Sequence, residues 1–167
     1  RDKILISFVL VILVSVSLSI FFGSASISEK DQFSLVFMAG ALQLGSMLTL
    51  VLFTVFYVRK AFETRDVEYM LSRPMSRTQF VLGHSFAFSL LALIMTALVS
   101  SVLLLMPFQV EMSGVLTWCL SLFTELSIVV NMALFFAFVL NSAVSAALMS
   151  VLFYVFARMI GGVLGII

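Results

Sequence analysis

The chain alternates long uncharged apolar stretches with short polar breaks, and that rhythm predicts its elements. Residues 4–22 carry no charge and as a helix would measure about 28 Å, the thickness of a bilayer's hydrocarbon core. Small residues at 23–26 follow this run and Arg1 and Lys3 precede it, the layout of a cleaved signal peptide. The apolar run is longer than the 7–15 residues usual there, so it reads as a retained span. Ser28-Glu29-Lys30-Asp31 has capping-box spacing and predicts a helix start near Ser28, with a second span over 33–58 ended by Arg59. Residues 59–79 form the one sustained charged segment. Its first part, up to about Leu71, is a candidate short helix, and Pro74 stops it by disfavouring helical geometry at Arg73. Ser76-Arg77-Thr78-Gln79 repeats the capping-box spacing at the head of a third span, 80–106, which Pro107 closes. A fourth span covers 114–140, Asn141 and Ser142 make a tight turn, and a fifth covers 143–160. The prediction is an all-α polytopic transmembrane helix bundle with five spans over residues 1–167, forming a single transmembrane domain.

Composition agrees with the pattern. The 167 residues are 63% hydrophobic and 10% charged, far from the roughly 25% charged of soluble domains. Nine Lys and Arg against eight Asp and Glu give no basic excess that would attract nucleic acid. Charge placement is more informative. Seven basic residues (Arg1, Lys3, Arg59, Lys60, Arg65, Arg73, Arg77) fall on one side of the predicted topology and two (Lys30, Arg158) on the other. The excess of Lys and Arg on cytoplasmic loops therefore puts the amino terminus and 59–79 in the cytoplasm. Arg158 reads as snorkelling at the outer interface.

Several chemistries lack their residues. No lysine follows a glycine, so there is no phosphate-binding G-x-x-x-x-G-K loop, and the single histidine, His84, excludes the H-E-x-x-H zinc motif. Cys119 is the only cysteine and can form neither an internal disulfide nor a thiolate cluster. No catalytic residue, cofactor or metal site is expected. What remains is intramembrane polarity. Glu125 lies about 16 Å into the fourth span, near mid-depth, where an ionisable group is costly and marks either a transport path or a helix-to-helix hydrogen bond. Asn131, six residues on, need not share its face, and Gln43 in the second span admits the same two readings. Small residues at Ser142, Ala146 and Ser150, and at Ala41 and Gly45, would let helices approach closely, as in a seam between two copies.

Lys60-Ala61-Phe62-Glu63-Thr64-Arg65, then Tyr69-Met70-Leu71-Ser72-Arg73-Pro74-Met75-Ser76-Arg77 and Phe80-Val81-Leu82-Gly83, resemble the permease subunit of ABC-2 type transporters. The opening Arg1-Asp2-Lys3-Ile4-Leu5 and the loop from Gly23-Ser24 to Ser28-Glu29 are similar to the multicopper-enzyme-maturation permease group, whereas Ala61 and His84 stand where many relatives have an acidic residue and a lysine. The resemblance implies a non-enzymatic subunit that joins a second permease copy in the lipid bilayer of a bacterial or archaeal cytoplasmic membrane, and a sixth span beyond the five read from this sequence. It implies that 59–79 is a coupling helix docking on a separate ATP-binding subunit. Arg65, Asp66, Glu68, Arg73 and Arg77 would form the docking face, Pro74 would turn the chain, and Glu63 would hold the helix in place. The function implied is ATP-driven transport, as an exporter. Two other readings are an ATP-independent carrier in which Glu125 takes up protons, and a membrane scaffold for metalloenzyme assembly that moves nothing.

Overall fold

The structure, a computed structural model, describes residues 30–64, 76–105 and 112–164. Their secondary structure is α-helical: α1 (Lys30–Glu63), α2 (Arg77–Leu105), α3 (Met112–Val139) and α4 (Ala143–Leu164). At 1.5 Å per residue the 34, 29, 28 and 22 residues of these helices reach about 51, 44, 42 and 33 Å, each enough for a hydrocarbon core of about 30 Å. All four are long and apolar enough to cross a membrane. The chain is an integral membrane protein. The span expected at 4–22 and residues 65–75 of the charged segment lie outside the described residues.

The helix ends follow the local chemistry. Ser76 caps α2 with a complete capping box: its hydroxyl accepts the Gln79 N–H at 3.2 Å, and the Gln79 carboxamide oxygen accepts the Ser76 N–H at 3.1 Å. The Ser142 carbonyl accepts the Ala146 N–H at 3.0 Å, which starts α4 directly after the turn at Asn141. One boundary differs from the expectation. α1 does not end at Arg59 but runs on through Glu63, because 59–63 contain no Gly or Pro and a helix propagates cheaply once begun. The start of the charged segment is thus the last turn of a membrane helix.

Two compact units divide the chain, one drawn from Arg1–Thr49 and Leu93–Glu125, the other from Leu50–Ala92 and Leu126–Ile167. The core of the first holds Met38, Leu42 and Met47 of α1, Val99 and Leu103 of α2, and Val115 and Leu122 of α3. The second buries Val51, Val55 and Val58 of α1, Phe80 and Phe88 of α2, Val130, Ala133 and Ala137 of α3, and Ala146, Ser150 and Tyr154 of α4. Buried positions recur every three or four residues, the period of one helix face. The opposite faces are also apolar: Leu82, Phe86 and Leu90 on α2, Leu116 and Leu120 on α3, and Leu148, Leu152 and Phe156 on α4 are exposed. Apolar residues inside and outside suit a lipid solvent, in which backbone groups must be satisfied within the helix.

The small-residue stripe of α4 packs closely, as its spacing predicts, and does so against neighbours in this chain. Ala146 and Ser150 are both 0% exposed, so the face that carries them packs inside the chain and is not free to form a seam with a second copy. The Ser150 hydroxyl donates to the Ala146 carbonyl at 2.7 Å, which satisfies it without a partner helix.

Candidate functional site

In the first unit, Gln43 of α1 and Glu125 of α3 meet. The Gln43 Nε2 donates to the Glu125 Oε2, with Gln43 buried and Glu125 half-buried. A carboxamide donor is a fitting partner for a carboxyl group away from water, because an intramembrane acceptor without a hydrogen bond is costly. Ser46, one turn further along α1, donates to the Leu42 carbonyl at 2.6 Å, and the Ser100 hydroxyl lies 2.9 Å from the Cys119 sulfur. Cys119 is thus half-buried in a helix-to-helix contact, away from any cluster that could bind metal. Among the described residues, no group of three or more His, Cys, Asp or Glu could hold an ion.

In the second unit, Asn131 of α3 bridges to α2. Its Oδ1 accepts from the Ser85 hydroxyl, and its Nδ2 donates to Ser89 Oγ at 3.1 Å and to the Ser127 carbonyl at 2.8 Å. The oxygen and both N–H groups of the carboxamide are thereby used, which makes Asn131 a clamp between two spans. The sequence singled out Gln43, Glu125 and Asn131 but did not pair them. Gln43 belongs with Glu125, and Asn131 belongs with Ser85 and Ser89, whose four-residue spacing on α2 was the available signal.

The two stems of the charged loop converge on the end of α3. Arg59 Nη1 donates to the Leu140 carbonyl at 3.1 Å, and Nη2 donates to the Asn141 carbonyl. These carbonyls belong to the two residues that follow α3, at the end where unsatisfied C=O groups and the negative end of the helix dipole favour a cation. The Arg59 guanidinium also lies over the Phe62 ring, 5.9 Å from its centroid. Phe62 meets Phe138 of α3 edge-on at 5.9 Å, and Phe138 is met from α2 by Phe80 at 6.1 Å and His84 at 6.4 Å. Phe138 is therefore gripped from both sides of the loop. Arg59, which the sequence marked as the end of a span and one of the basic residues that set its orientation, holds this junction.

Of the residues assigned to coupling, Glu63 is exposed as the last residue of α1, and Arg77 is the first residue of α2. Arg65, Asp66, Glu68, Arg73 and Pro74 lie outside the described residues. Compared with models of known families, with curated proteins and with solved structures, the chain matches none.

Proposed function

We propose that this chain is the permease subunit of an ATP-binding-cassette transporter of the ABC-2 type. It works as an exporter and pairs with a second permease copy, with ATP hydrolysed by a separate subunit on the cytoplasmic side. The resemblance of 63–83 to the coupling segment of that family supports the reading, and the junction at Phe138 supports it physically. A push on the loop enters α1 through Glu63 and α2 through Arg77. It then reaches the α3–α4 turn through Arg59, Phe62 and Phe80, which are already packed or hydrogen-bonded to the end of α3. Packed aromatic rings and a two-pronged guanidinium transmit displacement because interiors respond by discrete repacking and not by soft deformation. Arg65, Asp66, Glu68, Arg73 and Arg77 supply the charges that a docking surface on the motor would meet, while lipid covers the outer faces.

The observation that carries the reading is the link from the loop's stems to the end of α3, because a loop that only fixed topology would not need it. The test is purification of the tagged full-length protein from its native host, followed by assay of any ATPase that comes with it. A Walker-type ATPase should co-purify, and Glu63→Ala or Arg73→Ala should lower its activity about 5–10-fold, the effect of losing contacts worth roughly 1 kcal/mol. Absence of such a partner, or full activity in both variants, would contradict the proposal.

A further inference from the structure

Between the first turns of α2 and the later turns of α1 lies a partly open cleft of about 480 Å³. Its floor is small: Gly83 and Ala87, four residues apart on α2, and a Cβ built on Gly83 would meet nothing within 4 Å. Its deeper walls are apolar. Phe53 and Tyr57 of α1 pack edge-on or tilted against Phe88 and each other, with centroids 5.8–6.2 Å apart, and Leu91 lies furthest along α2.

The opposite end is polar, and contacts within the first turns of α2 occupy one polar atom of each of its two side chains. The Gln79 oxygen is engaged by the Ser76 N–H of the capping box, which leaves its amide N–H groups as donors. The His84 Nδ1 lies 2.9 Å from the Phe80 carbonyl, which can only accept, so Nδ1 carries a proton toward it and Nε2 is the ring nitrogen left for a ligand. Gln79 stands in the first turn of α2 and Leu91 twelve residues on, about 18 Å along the axis, close to half of a hydrocarbon core of about 30 Å. The cleft therefore runs from headgroup level to mid-membrane, polar at one end and apolar at the other.

We propose that this cleft binds a single-chain amphiphile drawn from the leaflet on the Arg59–Asn141 side, such as a long-chain fatty acid or monoacylglycerol. Its hydroxyl or carboxyl head meets Gln79 and His84, and its chain lies over Gly83 and Ala87 between Phe88 and Leu91. A volume of about 480 Å³ lies in the range of small-ligand sites, and a cleft polar at one end and apolar along its length suits one amphiphile lying along it. The rings supply the apolar burial that binds the chain, and the hydrogen-bonding pair fixes its direction. This inference stands without the transport reading, because it uses only residues of the cleft and the position of the helices in a membrane.

The test is photo-crosslinking of the full-length protein in nanodiscs with a diazirine-bearing palmitic acid, with adducts mapped by mass spectrometry. Adducts should concentrate on the cleft residues and disappear with excess unlabelled palmitate, while those on the outward residues Leu82, Phe86 and Leu90 persist. Gly83→Trp, which fills the floor, should lower cleft adducts about tenfold at unchanged helical content, and His84→Phe, which removes the polar ring nitrogens without filling the floor, should lower them less. Adducts spread evenly over cleft and outward residues, or cleft adducts that unlabelled palmitate does not suppress, would overturn the proposal.

Discussion

A carboxyl group in the middle of a span has to find a donor, and Glu125 finds Gln43. The pair joins α1 to α3 within one unit, and its worth is read by contrasting substitutions. Glu125→Gln retains an oxygen that can accept from Gln43 and should leave thermal stability nearly unchanged. Glu125→Leu leaves a buried carboxamide without this acceptor and should cost about 1–2 kcal/mol, in the upper range of intramembrane hydrogen bonds. Thermal unfolding of the two variants in one detergent checks this. Equal loss in both would mean that the carboxyl does something a carboxamide cannot, as a proton-taking carrier residue would. At this scale the sequence was a partial guide. It exposed Glu125, Gln43 and Asn131 because polar residues are conspicuous in apolar runs. It could not pair them, since which faces meet depends on how the helices pack, and the four-residue spacing of Ser85 and Ser89 marks a shared polar face without naming its partner.

Among the elements, the most legible feature was the capping box at Ser76-Arg77-Thr78-Gln79, and both of its reciprocal hydrogen bonds are present. Such signals are short-range, so one sequence window contains all the partners. Ser76→Ala should therefore destabilise the start of α2 by about 1 kcal/mol, seen as faster amide exchange over its first turn, whereas Ser76→Asp should retain protection. No change in exchange for Ser76→Ala would show that the loop and not the cap holds this end. The small-residue stripe of α4 was legible as a close-packing face but not as to its partner, for the opposite reason. Spacing showed that Ser142, Ala146 and Ser150 could admit a close neighbour, but nothing local distinguishes a neighbour in the same chain from one in another copy. The end of α1 was misplaced because the change from apolar to charged residues marks the membrane surface and not the end of a helix, and α1 carries its hydrogen bonding through Glu63.

For the whole molecule, the broad class was legible from composition and run length: an integral membrane protein whose described helices can each cross a bilayer. The grip of the loop's stems on Phe138 and the α3 terminus was not legible, because it joins residues about eighty positions apart through a cation, ring edges and backbone carbonyls. That grip has a topological consequence. Arg59 donates to Leu140 and Asn141, so the loop after α1 and the turn before α4 must lie on one face of the membrane, and the basic residues of 59–79 favour the cytoplasmic face. The most direct measurement is labelling of single cysteines at the exposed positions Thr64 and Asn141, in a Cys119→Ala background, with a membrane-impermeant maleimide. The account predicts that Thr64→Cys and Asn141→Cys are both protected in intact cells and both labelled in inverted membrane vesicles. Labelling of either from outside intact cells would contradict it, since no cytoplasmic motor could then reach the loop or act through it on the end of α3.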